Sequence, residues 1–341
     1  MAKKAEHKDK DKNKKAGKGK GLLQALSAAY DRVNSLLGGD LAFVYTSLNK
    51  AAYVYKREKI IKSGSTVAAF IREARFAAGY CLLEPEILLF SMMNALSLIV
   101  AFSIFVYGFL AATPEVYDLK TIIGLVVLWP LWFLFCLWLS SNLSSLFTGA
   151  MGISVMKKMK GEGSTASGCL RGSMKRRREI QRADWNVTAL TAIMALNLIP
   201  SKNAPRAQTE RDRREFHAWR YGKFAILPYI LLGKALIEAG KASLEMVKEN
   251  FKNVVLFRTG YGRVRIAVWL ATWAAMVCLT LYGPYGNPGE DNVIGIIMAQ
   301  SIFSLIPAFF IVRIFLYPVL VISSCRRTIE GLTGQADGRP S

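Results

Sequence analysis

Histidine is almost missing from this chain. Of 341 residues only His7 and His217 are histidines, and neither has a partner at ligand spacing. That removes the usual base for a serine or cysteine nucleophile and the commonest zinc ligand, so no catalytic residue and no metal site is expected. Cysteine is scattered and odd in number: Cys81, Cys136, Cys169, Cys278 and Cys325, three of them in or beside apolar runs, with no CxxC pair. The pattern argues against a disulfide framework and reads as small buried hydrophobes. No cofactor is expected either. The GKGKG stretch has no preceding strand and lacks the spacing of a phosphate loop. Acid is scarce, at 24 Asp+Glu against 45 Lys+Arg, a formal charge of +21. The first 20 residues hold nine lysines and no apolar run, so no cleavable signal peptide is expected and the first span is expected to direct insertion.

What the chain has in abundance is apolar surface, at 52% hydrophobic residues with a mean hydropathy of +0.26. High charge and high hydrophobicity coexist because they occupy separate blocks, the pattern of a membrane protein with charged loops. A basic nucleic-acid binder would account for the charge but not for the long uncharged runs. Ile87–Ala112, Thr121–Met156 and Asn292–Val312 carry no charge and meet or exceed the roughly 20 residues of a spanning helix. Ile266–Tyr282 is shorter, but Trp269, Trp273 and Tyr282 suit interfacial anchoring. Trp185–Ile199 and Phe224–Gly233 are marginal: each fits a short span, a re-entrant piece or an interfacial helix.

Loop charge sets the orientation. Thr113–Lys120 and Gly283–Asp291 are acidic, while the segment after the second span is strongly basic. The positive-inside rule puts that basic segment, the N-terminus and the Arg326-Arg327 tail in the cytoplasm, with four or six crossings. The Ser201–Lys223 connector, with seven basic residues against three acids, fits poorly outside, where six crossings would place it.

Residues 1–21 form a Lys-rich arm with no large apolar residue after Met1, expected to be disordered and cytoplasmic. Residues 22–66 read as amphipathic cytoplasmic helices, 67–325 as the transmembrane domain with about six spans, and 326–341 as a cytoplasmic tail. Amphipathic stretches precede three of the apolar segments. Val67, Phe70, Ala74, Ala77 and Cys81 share one face; Leu170 and Met174 make a weaker stripe; Ile237, Leu244, Val247, Phe251 and Val254 make a clean one. The fold expected is all-α, a polytopic transmembrane helix bundle with amphipathic interfacial helices.

The stretches EPEILLFSMMNALSLIV, LSSLFTGAMGISVMKKMKGEGSTASGCLRGSMKRRREIQRADW and HAWRYGKFAILPYILLGKALIEAGKASLEMVKENFKNVV resemble an uncharacterised family of six-span prokaryotic integral membrane proteins. They are distantly similar to the membrane domain attached to some glycerophosphodiester phosphodiesterases. Trp219, Pro228 and Lys241–Asn253 occupy the places of that family's Trp…Pro motif and Ala/Ser-rich amphipathic helix. The resemblance covers roughly residues 67 to 325 and implies six spans in a bacterial inner membrane, with no activity attached.

Two features stand out as candidate sites. Lys157, Lys158, Lys160, Arg171, Lys175, Arg176, Arg177 and Arg178 form a basic cluster suited to anionic headgroups, or to setting topology alone. Arg313 is an intramembrane charge, read as snorkelling to the cytoplasmic interface from the end of its span. Asn94, Asn142, Asn197 and Gln300 read as interhelical hydrogen-bonding groups, and Pro130, Pro307 and Pro318 as kinks. The expected partners are the bilayer, anionic phospholipids and other membrane proteins, with nucleic acid a further partner for the Lys-rich arm. The function expected is a non-enzymatic protein that organises or remodels the membrane, or scaffolds partners. A small-solute or lipid transporter or channel is the first alternative and a lipid-modifying enzyme the second, with Glu84 and Glu86 its only acids beside a span start.

Overall fold

Residues 52–112, 119–196, 216–217, 219–282, 297–298, 300–301 and 303–336 are described by the computed structural model of the protein. The Lys-rich arm, residues 22–51 of the expected amphipathic segment, most of the first acidic loop and all of the second, Asn197, most of the basic connector and the extreme C-terminus lie outside the described residues.

The described residues are helical, with no strand among them. In chain order the elements are α1 (Ala52–Ser63), α2 (Thr66–Leu83), α3 (Pro85–Ala112), α4 (Leu119–Met159) and α5 (Ala166–Leu196). A 3-10 turn (Lys223–Ala225) then leads into α6 (Ile226–Leu231), α7 (Leu236–Glu249), α8 (Phe251–Tyr282) and α9 (Leu305–Ile311). A π-helical turn (Val312–Leu316) joins α9 to α10 (Tyr317–Ala336).

Local chemistry sets the boundaries. The Ser65 hydroxyl accepts from the Ala68 N–H and caps α2, and the Glu84-Pro85 step separates α2 from α3. Gly161 (φ 75°) and Gly233 (φ 99°) adopt the left-handed conformation that L side chains avoid. At each, the following N–H reaches back five residues (Glu162 to Lys157, Lys234 to Tyr229) and the glycine N–H reaches back three (to Lys158, to Ile230). Both α4 and α6 therefore end in Schellman motifs.

Among the described residues, four stretches are long and apolar enough to cross a membrane: Pro85–Gly108, Leu128–Met159, Phe251–Leu281 and Leu305–Thr333. They contain most of the expected Ile87–Ala112, Thr121–Met156 and Ile266–Tyr282 runs and the last part of Asn292–Val312. The marginal segments differ from these. Residues 185–196 continue α5, while Phe224–Gly233 holds the last two residues of the 3-10 turn and the six residues of α6, about 9 Å of helix.

The two ends of the bundle are unlike. At one end, the core end, Ile87, Phe90, Met151, Val155, Ile180, Trp219, Ile230, Val254, Phe257 and Ile322 are buried in one cluster. At the other, the apolar end, Leu128, Leu131, Phe133, Leu134, Trp138, Ile266, Leu270 and Leu279 are exposed. A surface of that size has no place in water and is covered by acyl chains. Small residues let the helices close at the core end. A Cβ on Gly260 of α8 would run into the Thr66 carbonyl and Phe70 of α2, and one on Gly149 of α4 into Ser173 and Ile180 of α5.

The amphipathic helices follow the expected faces unequally. On α2 Phe70 and Ala77 are buried and Ala74 and Cys81 half-buried against the core, as expected, while Val67 is exposed and Thr66, Ala69 and Glu73 are buried beside them. On α5 the buried set is Cys169, Ser173, Ile180, Ala183 and Asn186, with Leu170 only partly buried and Met174 exposed. The third stripe is closer: Leu244, Val247 and Val254 are buried, Ile237 and Phe251 half-buried, and Lys241, Glu245, Lys248 and Lys252 face outward.

Candidate functional site

Pro318 has no N–H, so the Ile314 carbonyl one turn earlier loses its helical donor. The Tyr317 N–H pairs with the Val312 carbonyl in the π turn, which leaves the Arg313 carbonyl without its α-helical donor as well. Ser91 of α3 lies opposite, fully buried. Its hydroxyl is 2.8 Å from the Arg313 carbonyl and 3.1 Å from that of Ile314, and it donates to the pair. The irregular turn is thus fixed by a proline on one helix and a serine on another, and π turns of this kind recur at functional sites.

The turn aims Arg313 inward, where the sequence reading had it snorkel outward. The physical reason is the set of polar atoms waiting on α3 and α4. The Arg313 Nη2 donates to Ser144 Oγ at 2.7 Å and to Asn94 Oδ1 at 3.3 Å. Asn94 in turn donates to Thr148 at 3.1 Å, and Tyr317 donates to the same hydroxyl at 3.4 Å. The guanidinium lies 4.1 Å from the centroid of the Tyr317 ring. Its Nε is buried and has no hydrogen-bond partner among the described residues. Asn94 lies nine residues into α3, about 13 Å along the helix from Pro85.

Arg313 is one wall of a cavity of about 330 Å³ between α4, α5, α8, α10 and the 3-10 turn. Lys223 and Arg258 enter the same space from the 3-10 turn and from α8, and Asp184 from α5. Three cationic side chains therefore meet one carboxyl. Lys223 donates to Thr191 at 3.0 Å. Burial, then repulsion from Arg258 and Arg220, pushes its ammonium down to about 8, against the opposing pull of Asp184. Asp184 is exposed at the cavity's edge, yet the protein crowded around it raises its carboxyl, with Arg313 and Lys223 opposing.

The expected basic cluster divides. Arg171, Lys175 and Arg178 fall at helical spacing on the exposed face of α5, joined by Arg182 and the exposed Met174, with Arg177 beside them. Lys160 is exposed and Lys157 half-buried at the end of α4. Lys158 and Arg176 face other partners: Lys158 pairs with Glu84 at 2.7 Å, and Arg176 with Glu179 at 3.3 Å beside Gly233. The hydrogen bond from Lys158 holds the Glu84 carboxyl below its usual range. Glu86 accepts from the Ala166 N–H at 3.0 Å and from Ser164 at 3.3 Å, capping the start of α5. Both acids are engaged in joining α3, α4 and α5.

Of the polar residues read as interhelical, Asn94 and Gln300 do bridge helices, Gln300 donating to Thr280 at 2.9 Å, while Asn142 donates within α4 to the Trp138 carbonyl. Cys136, Cys169 and Cys325 are buried and Cys278 is exposed. Sequence reasoning missed the buried Glu73, which binds Arg327 at 2.7 Å and Ser323 at 3.0 Å and ties α2 to α10. It also missed Asp184, Lys223, Arg258, Ser144 and Tyr317 as parts of one site. Compared with protein-family models, curated proteins and solved structures, the chain has no match, so the reading of this cavity rests on its own chemistry.

Proposed function

We propose that this is a multi-pass membrane protein that binds a phosphate-bearing anion in the Arg313 cavity. The reading is supported above all by the meeting of Lys223, Arg258 and Arg313, carried by three separate elements, in one space with a single carboxyl. Buried cations repel one another and lose hydration, an arrangement that a bound anion relieves. Guanidinium groups match phosphate oxygens in geometry as well as charge, which favours a phosphoester over a simple halide. Lipid headgroups and soluble phosphoesters share that chemistry. This reading keeps the expected non-enzymatic character and the affinity for anionic phospholipids. It places the ligand inside the bundle, where a transporter or lipid-handling protein needs it, as well as along an outer basic surface. Positive-inside logic turns the core end, with its basic α5, toward the cytoplasm of a cell inner membrane.

Titrating the full-length protein in uncharged detergent with glycerol 3-phosphate, phosphatidylglycerol and phosphatidylcholine tests the site, with thermal stabilisation as the readout. The first two should stabilise and the third should not. Arg313→Gln should weaken both active ligands roughly tenfold or more, the worth of a hydrogen bond to a charged group. Lys223 is charged below about 8, so affinity should fall as pH rises from 7 to 9. Lys223→Gln should abolish that slope. Equal stabilisation by phosphatidylcholine, or an unchanged Arg313→Gln, would refute the proposal.

A further inference from the structure

A second space meets the polar cavity at Arg313 and Tyr317. It is a groove of about 440 Å³ between α8 and the α9–π segment, lined mainly by Ile266, Trp269, Leu305 and Phe309, with Tyr261 and a second cation, Arg265, beside them, before it reaches those two residues. Ile266, Leu305 and Phe309 are about half exposed, at 56%, 52% and 48%, so the groove opens sideways on the apolar surface of the bundle. Arg313 and Tyr317 line both spaces.

A larger fissure of about 530 Å³ on the α3–α4 side of α9 shows what sets the groove apart. It shares Leu305 and Phe309 with the groove, yet no charged side chain lines it. It is a dent that any acyl chain fills. The groove, by contrast, joins an apolar wall open to the bilayer to a cationic interior. That pairing is complementary to one kind of molecule, an amphiphile with an apolar tail and an anionic head.

We infer that the ligand of the Arg313 cavity is an anionic phospholipid, taken sideways from the bilayer, with an acyl chain in the Ile266–Phe309 groove and its phosphate against Arg313, Lys223 and Arg258. The inference rests on the proposed anion site and adds the source of the anion. Tyr317 holds Arg313 by its ring face at the junction. Nη2 is already occupied by Ser144 and Asn94, which leaves the N–H groups of Nη1, and behind them the enclosed Nε, for the lipid phosphate.

Ile266→Trp places a large side chain in the groove without touching the cavity. In the titration above, the wild-type protein should bind phosphatidylglycerol at least about tenfold more tightly than glycerol 3-phosphate, since the chain adds buried apolar area. Ile266→Trp should lose that advantage and keep its response to glycerol 3-phosphate. Phosphatidylglycerol binding unchanged in Ile266→Trp, or glycerol 3-phosphate matching the lipid in the wild type, would overturn the inference and leave the anion site standing. Loss of neither ligand in Arg313→Gln would remove the anion site itself. A phosphatidylglycerol with a photoreactive acyl chain gives a second measurement on the unaltered protein. Cross-links should fall in the peptides around residues 261–269 and 305–313, and labelling confined to the α3–α4 fissure would count against the groove even if Ile266→Trp failed to fold.

Discussion

Arg313 owes its direction to two residues that are unremarkable in sequence. Pro318 frees one backbone carbonyl, the π turn frees another, and Ser91 reaches both. Ser91→Ala would leave two buried acceptors with no donor, each costing about 1–3 kcal/mol. The expected result is a clear loss of thermal stability in detergent together with weaker phosphatidylglycerol binding, because the turn that aims Arg313 relaxes. Ser91→Thr keeps the hydroxyl and should retain most of both. An alanine variant as stable as the wild type would show that the freed carbonyls find other donors. The intramembrane arginine was legible in the sequence; its direction was not. Counting residues from Asn292 placed it at the far interface, since distance along a helix says nothing of which neighbour faces it. Asp184, Lys223 and Arg258 escaped notice for a related reason. Asp184 and Lys223 sit just outside the marginal apolar runs and Arg258 lies eight residues before Ile266, so all three look like loop charges until three elements bring them together.

At the scale of the element, helical periodicity gave the right structure and, on α5, a face shifted by one residue. Leu170 and Met174 were chosen on α5 because they are the large apolar residues, but α5 turns Cys169 and Ser173 inward, where small side chains fit against Gly149 of α4. Close helix contact selects small residues, and a stripe judged by hydrophobicity overlooks them. The outward face that results carries Arg171, Lys175, Arg178 and Arg182 in a row. This face should draw anionic lipid by charge alone, a different contact from the enclosed one at Arg313. Replacing Arg171, Lys175 and Arg178 together by Gln should lower the fraction of spin-labelled phosphatidylglycerol held at the protein surface in low salt. The difference from wild type should vanish at about 1 M salt, where the Debye length shrinks to roughly 3 Å. The response to glycerol 3-phosphate should be unchanged. A difference that survives high salt would mean that the face makes more than an electrostatic contact.

The whole molecule is divided between a protein-packed end and a lipid-covered end, and that division bears on how many times the chain crosses. Hydrophobic runs alone allowed four or six. The six residues of α6 supply about 9 Å of helix, and the helical residues 219–231 about 20 Å, against a hydrocarbon core of about 30 Å. Ile226, Pro228, Tyr229 and Ile230 are buried within the core-end cluster instead of lying in the apolar belt. A segment so short and so enclosed fits a wedge that returns to the side it came from, which also spares the basic Ser201–Lys223 connector a crossing. Four crossings, in place of the six that the family resemblance implied, are the arrangement we propose, and labelling decides between them. In a background lacking the five native cysteines, Thr113→Cys and Asn287→Cys should react with an impermeant thiol reagent in intact cells. Ser201→Cys and Gly17→Cys should react only after the membrane is opened. Labelling of Ser201→Cys in intact cells would restore the six-crossing arrangement, and labelling of Gly17→Cys there would invert the orientation. Either result would move the Lys223 side of the cavity to the far face of the membrane, leaving the cavity's chemistry as it is and changing the leaflet from which the lipid is drawn.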